Sequence, residues 1–275
     1  MTPRQAILPF LKLVLTDRKR LFKALLWYTR EATQHQYLAK AYDLPKGLPY
    51  VDLLELIPGF DEEITSYTYL DGTSRPIDIA LLTALCKQYP DCQYLEIGSW
   101  RGESLVNVAR VAKKVTSLSL SAEEMRTFGA SDREMALARL FSKGLANVRH
   151  VEANSLTFDF SSLGEKYDVI FVDGDHTYAG VKSDTENAFK LLRNDRSVIV
   201  WHDCGDSFEV QRNEVVAGVL DGAPPEARKH IYRVANTLCG IYTLQPLKGE
   251  FLEYPQVPTK TFNMRIQAQA LASKK

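Results

Sequence analysis

The chain has 275 residues, 45% apolar and 25% charged, ordinary globular proportions that exclude a disordered tail, a collagen-like repeat and a low-complexity protein. Its 34 Lys and Arg balance 34 Asp and Glu, so at a formal net charge of +0 no global basic field draws it to nucleic acid. Cys86, Cys92, Cys204 and Cys239 show no CxxC spacing, in a chain long enough to bury a core without disulfides, and predict reduced thiols in a cytoplasmic protein.

The apolar stretch from Ala6 to Leu15 is interrupted by Lys12, lacks a cleavage site of small residues and falls short of a bilayer span, so it predicts neither an export signal nor a transmembrane helix. Residues 4 to 42 place Leu11, Val14, Leu15, Leu21, Leu25 and Tyr28 at helical spacing, which predicts one or two amphipathic helices ahead of the main domain. Between residues 12 and 30, six cations face Asp17 alone, a local charge of +5. The expectation is a lid or docking surface over the active-site edge, with peripheral contact to an anionic membrane as the alternative.

From Ile77 onward helices and buried strands alternate, the pattern of parallel βαβ units. Helices are predicted over 77–88, 103–112, 177–192 and 210–220, and strands over 93–97, 115–120, 148–152, 167–172 and 197–201. Ser121 to Glu124 has capping-box spacing, which makes Ser121 an N-cap candidate. Strands at 230–234 and 240–244 are too close for a parallel crossover and predict an antiparallel hairpin at one edge of the sheet. The tail from Phe262 to Ala270 reads as either strand or helix.

Two segments carry chemistry. In Tyr94-Leu-Glu-Ile-Gly98-Ser99-Trp-Arg-Gly102 a strand ends in a carboxylate and two glycines before a helix, where free amides and a positive dipole end suit a ligand. The spacing G-x-x-x-G is not the dinucleotide fingerprint. Asp173-Gly-Asp-His176 and His202-Asp203 then follow two successive strands, so their acids and imidazoles should open on one crevice at the carboxyl edge of the sheet. His176 is the first candidate for a general base and His202 the second, with a capping role as the plainer alternative for His176. Asp173 and Asp203 are candidates for holding Mg²⁺. Asp184 is expected on a helix, facing solvent or pairing locally.

These motifs, in this order from about Ile77 to Leu244, resemble the class I S-adenosylmethionine (SAM)-dependent methyltransferases, in the branch of small-molecule O-methyltransferases with a D-G-D-H strand end. The resemblance implies an α/β fold with a Rossmann-like, doubly wound, mostly parallel sheet and an antiparallel edge hairpin. It implies a helical extension or lid over 1–70, a SAM-binding domain over 71–248 and a C-terminal extension over 249–275. It assigns Glu96, Gly98, Ser99 and Gly102 to the methionine end of SAM, Asp173 to the strand mouth beside them, and Asn154 and Ser155 to adenine. The family commonly ends its second strand in an acid that holds the ribose, whereas this strand ends in Ser119-Leu-Ser121, so Ser119 or Ser121 would substitute, or Glu123 would reach back. The implied reaction is O-methylation of a small molecule or sugar, with SAM as cofactor, a divalent cation as an option and no nucleic-acid partner. Two rivals are a non-haem iron oxygenase using two histidines and a carboxylate, and a non-catalytic binding or membrane-associated protein. The methyl acceptor and oligomeric state are not legible.

Overall fold

The computed structural model describes residue 14 and residues 16–271, so the apolar stretch from Ala6 and the first part of the predicted N-terminal helices lie outside the described residues. Helix α1 spans Arg18–Tyr42, strand β1 Tyr50–Val51, and short α2 Leu53–Leu56. The alternating part follows with α3 (Pro76–Lys87), β2 (Gln93–Ile97), α4 (Glu103–Val108), β3 (Lys114–Ser119), α5 (Ala122–Thr127), α6 (Asp132–Leu137), β4 (Val148–Glu152) and β5 (Val169–Val172). It closes with α7 (Tyr178–Lys190), β6 (Val198–Trp201), α8 (Asn213–Gly222), β7 (Ile231–Val234) and β8 (Gly240–Tyr242).

The strands form one eight-stranded sheet in the order β1-β7-β8-β6-β5-β2-β3-β4. Only β8 runs antiparallel to its neighbours, β6 and β7. This is the doubly wound sheet expected, with one difference: the β7–β8 hairpin is not the edge, because β1 pairs parallel with β7 outside it. Tyr50 also bridges Glu250, so residues before 70 and after 249 both reach the sheet. The tail over 262–270 forms neither strand nor helix.

Burial on both faces explains why the central strands read as continuous apolar runs. Side chains alternate, so Ile170, Val172, Ile199 and Trp201 pack toward α7 and α8, while Val169, Phe171, Val198 and Val200 pack toward α3 and α4. Each fully buried side chain of this size contributes roughly 1.5–3 kcal/mol. The four cysteines are free and buried.

Helix α1 docks on α8 through its C-terminal half. The buried Glu31 carboxylate accepts from the free backbone amides of Asn213 (2.6 Å) and Glu214 (3.2 Å), placing a negative charge on the positive end of α8. At the other end Asp221 accepts from Tyr37 (2.8 Å), Tyr42 and Tyr178.

Candidate active site

Strand order reverses between β2 and β5, which leave the middle of the sheet as parallel neighbours, and a crevice opens beyond their carboxyl ends. The cleft there has a volume of about 980 Å³ and is bounded by the β2–α4 turn, the ends of β3 and β4, and the loops after β5 and β6. No residue of α1 lines it; the outer wall is the extended segment 67–75. That segment is held by α4, where Asn107 Oδ1 accepts from Thr65 N (3.0 Å) and Glu103 Oε1 from Thr68 N (3.0 Å). The buried Arg101 pairs with Glu103 (3.1 Å) and donates to the carbonyls of Asp71 (2.8 Å) and Leu70 (3.2 Å).

The β2–α4 turn depends on glycine for packing as much as for approach to a ligand. Gly98 has φ 90°, and a Cβ there would lie 2.2 Å from the Asp173 carbonyl oxygen. Gly102 has φ 83° and backs onto Ser142; it does not line the cleft, whereas Gly98 and Ser99 do. The Ser99 hydroxyl is buried beside the Glu96 carboxylate, whose pKa it helps to lower.

Glu96 is not where the sequence places it. Within β2 it shares the face of Tyr94, so it points under the turn toward α4, 1% exposed, and accepts from Tyr94 Oη and Ser104 Oγ, both at 2.9 Å. Burial pushes its pKa up to about 8, against the lowering effect of the Ser104 and Tyr94 hydrogen bonds. The expectation that this carboxylate meets the ligand directly is therefore corrected.

Ser119, Asn154 and Ser155 line the cleft as expected. Ser121 does not; its side chain accepts from Glu124 N (3.2 Å) as the N-cap of α5. At the end of β3, Arg139 donates to Ser119 Oγ (3.2 Å) and pairs with Glu152, so a serine backed by an ion pair stands where the resemblance implies an acid.

The ends of β5 and β6 bring Asp173, His176, His202 and Asp203 together, as predicted. His176 Nδ1 lies 3.0 Å from Asp203 Oδ2, and its ring is 43% exposed. The hydrogen bond that His176 donates to Asp203 raises the His176 pKa, against burial. His176 does not cap α7; Thr177 does, accepting from Gly180 N (3.2 Å). Asp203 itself has φ 55°, a left-handed conformation uncommon outside glycine that aims its carboxylate between the two histidines.

His202 faces carboxylates on both ring nitrogens. Nδ1 lies 3.2 Å from Asp173 Oδ1 and 3.4 Å from Asp203 Oδ1, and Nε2 lies 3.3 Å from Asp78 Oδ2. Burial alone would lower its pKa, but Asp173, Asp203 and Asp78 outweigh it and hold the pKa well above that of an ordinary histidine. A ring that donates from both nitrogens is an imidazolium and cannot accept a proton, so His202 is corrected from candidate base to buried cation. Asp203 is held well below the usual carboxylate range, because its bonds to both histidines outweigh burial.

Asp173, His176 and Asp203 each offer an atom within 4.8 Å of the others, a spacing open to a cation. All four carboxylate oxygens already have a donor, however. Asp173 Oδ2 accepts from Ser74 (3.1 Å), Asp203 Oδ2 faces His176 and Arg212 (3.5 Å), and both Oδ1 atoms face the His202 imidazolium. His202 and Arg212 thus already balance the acids, so the cluster needs no divalent cation to offset its charge. The two-histidine iron triad is not assembled either, since neither nitrogen of His202 is free.

Asp184, expected to face solvent or to pair locally, is fully buried below Gly174, with Ser155 the side chain whose hydrogen bond lowers its pKa. Burial pushes its pKa up to about 6. Sequence reasoning also missed Asp78 and the wall 67–75. The only local signals for these were the polar residues Glu103 and Asn107, four apart on a short helix, and the N-terminal acid of α3.

A family model described as a methyltransferase domain matches residues 95–204, less than half the chain. Among solved structures, cofactor-bound Rv0187 from MTB is 18% identical, with 64% of this chain and 83% of that one covered at a TM-score of 0.45. An O-methyltransferase from Bacillus cereus in complex with SAH is 17% identical over 78% and 97%, at 0.42. SAM-bound CalS10, an amino pentose methyltransferase from Micromonospora echinaspora, is 21% identical over 52% and 58%, at 0.36. Likenesses at this level identify no substrate. No curated protein matches the chain. The matched segment runs from β2 to the residues just after β6 and contains the turn, Asp173, His176, His202 and Asp203. Over residues 95–204 the chain matches a methyltransferase domain, on a doubly wound, mostly parallel sheet.

Proposed function

We propose that this protein methylates a hydroxyl oxygen of a small-molecule or sugar acceptor, with His176 as general base. The observation that carries this reading is the Asp203–His176 pair on the cleft wall. Asp203 Oδ2 accepts a hydrogen bond from Nδ1–H, which fixes the tautomer and leaves Nε2 as the proton acceptor. Bound SAM supplies a methyl group on a sulfonium, whose leaving group needs no acid.

The chain's own residues position and deprotonate. Gly98 and Ser99 offer backbone to the methionine end, Ser119 a hydroxyl to the ribose, and Asn154 and Ser155 polar groups to adenine. Asp173 faces the same crevice. Tyr67, Tyr69, Trp100 and Phe128 supply an aromatic wall suited to a small organic acceptor, and the segment 67–75 shields it from water. Buried free cysteines support a reducing, cytoplasmic setting.

The test is transfer of labelled methyl from SAM to a panel of phenolic, catecholic and sugar acceptors. Transfer to oxygen is expected, with chelation leaving the rate unchanged. Transfer only to nitrogen or carbon, or a rate abolished by chelation and restored by Mg²⁺, would contradict this reading.

A further inference from the structure

The N-terminal half of α1 stands apart from the site and from the rest of the fold. Its anchors to α8, Glu31, Tyr37 and Tyr42, all lie in the C-terminal half, where Leu38 is also buried. From Phe22 to Arg30 every residue is exposed, including Phe22 (65%), Leu25 (55%), Leu26 (40%), Trp27 (44%) and Tyr28 (69%). At 3.6 residues per turn, Phe22 and Leu25 lie roughly opposite the side that carries Glu31 and Leu38 into the body. Lys19, Lys23 and Arg30 follow one flank of that apolar side.

The charge is as segregated as the apolar surface. Residues 18–30 contain Arg18, Lys19, Arg20, Lys23 and Arg30 and no acid, in a chain whose net charge is +0. Among the described residues only Arg30 of these reaches a carboxylate, Glu214, at 4.0 Å. Elsewhere on the surface, Lys87 pairs with Glu62 and Lys113 with Asp91.

We propose that this half of α1 is a docking surface for an anionic lipid bilayer, lying in the headgroup region with Phe22, Leu25 and Leu26 toward the acyl chains and its basic residues on the lipid phosphates. Charge selects this occupant. A second copy of the chain would set five cations against five, and a soluble anion would leave the apolar side uncovered. No helix among the described residues is long and apolar enough to cross a membrane, so the contact is peripheral. It would hold the enzyme at a surface without occupying the cleft, which α1 does not line.

The experiment is flotation of the full chain with vesicles of phosphatidylcholine alone and of phosphatidylcholine mixed with phosphatidylglycerol. Binding is expected only to the mixed vesicles and should fall as salt rises. Lys19→Gln with Lys23→Gln should weaken it about 30-fold, at roughly fivefold per cation. Phe22→Ser with Leu25→Ser should abolish it, and both variants should keep wild-type circular dichroism and S-adenosylhomocysteine affinity. No binding to either vesicle, equal binding to both, or full binding by the Ser variant would overturn the proposal. So would reversible dimerisation that the same substitutions abolish, since the face would then belong to a second copy.

Discussion

His202 stands between Asp78 and Asp173, with Nε2 3.3 Å from one carboxylate and Nδ1 3.2 Å from the other. The ring thereby ties the start of α3 to the end of β5. It also supplies a fixed positive charge beneath the acids of the cleft.

That charge has a signature in stability. The folded pKa of His202 lies above the ordinary value near 6.5, so its contribution is fully present below about pH 6.5 and is lost as pH rises through the folded pKa. His202→Gln should lose about 3 kcal/mol at neutral pH by urea denaturation and lack that alkaline decline. A variant as stable as wild type would mean the ring is not charged.

His176→Ala should lower turnover ~10²- to 10⁴-fold while leaving S-adenosylhomocysteine affinity and melting temperature unchanged. The base must be neutral, so wild-type rate rises with pH through the raised pKa of His176. Asp203→Asn should move that limb of the pH–rate profile toward about 6.5, where an ordinary histidine titrates. A limb that stays in place would assign the base elsewhere.

Gly98→Val tests the turn in a way the sequence did not suggest. An added Cβ would strike the backbone of Asp173 and Gly174, so the variant should lose stability as well as ligand affinity. Ser99→Ala is the cleaner probe of binding. It should keep the melting temperature and weaken S-adenosylhomocysteine about fivefold to tenfold, the loss of one neutral hydrogen bond. Unchanged affinity would place the ligand away from this turn.

Asp184 should behave in the opposite sense from an ordinary salt-bridged acid. Its pKa is raised to about 6, so its charged form opposes folding and stability falls as pH climbs from about 4 through 6. Asp184→Asn should match wild type at acid pH and be more stable by up to about 2 kcal/mol at neutral pH. A loss at neutral pH would mean that hydrogen bonding to the carboxylate outweighs its burial.

Local patterns made the alternating part of the fold legible. β2 and β4 match their predicted bounds because short apolar runs between turn residues admit few alternatives, and the Ser121 capping box formed because all its partners lie within four residues. What depended on distant contacts was not legible. The two-residue β1 exists because β7 and Glu250 pair with it. The wall 67–75 is fixed by α4, more than thirty residues away. Glu96 and Asp184 were misplaced for a related reason. A carboxylate is expected at the surface or on a ligand, and only the strand alternation at Tyr94 and the packing of α7 beneath Gly174 show that both are buried.

The central claim is that the crevice between the ends of β2 and β5 holds SAM. Titration calorimetry of S-adenosylhomocysteine into the wild-type protein tests it without any knowledge of the acceptor. Saturable binding at one site per chain is expected, weakened by Ser99→Ala and indifferent to His176→Ala. No heat of binding at millimolar ligand, or identical affinity in the Ser99 variant, would contradict it.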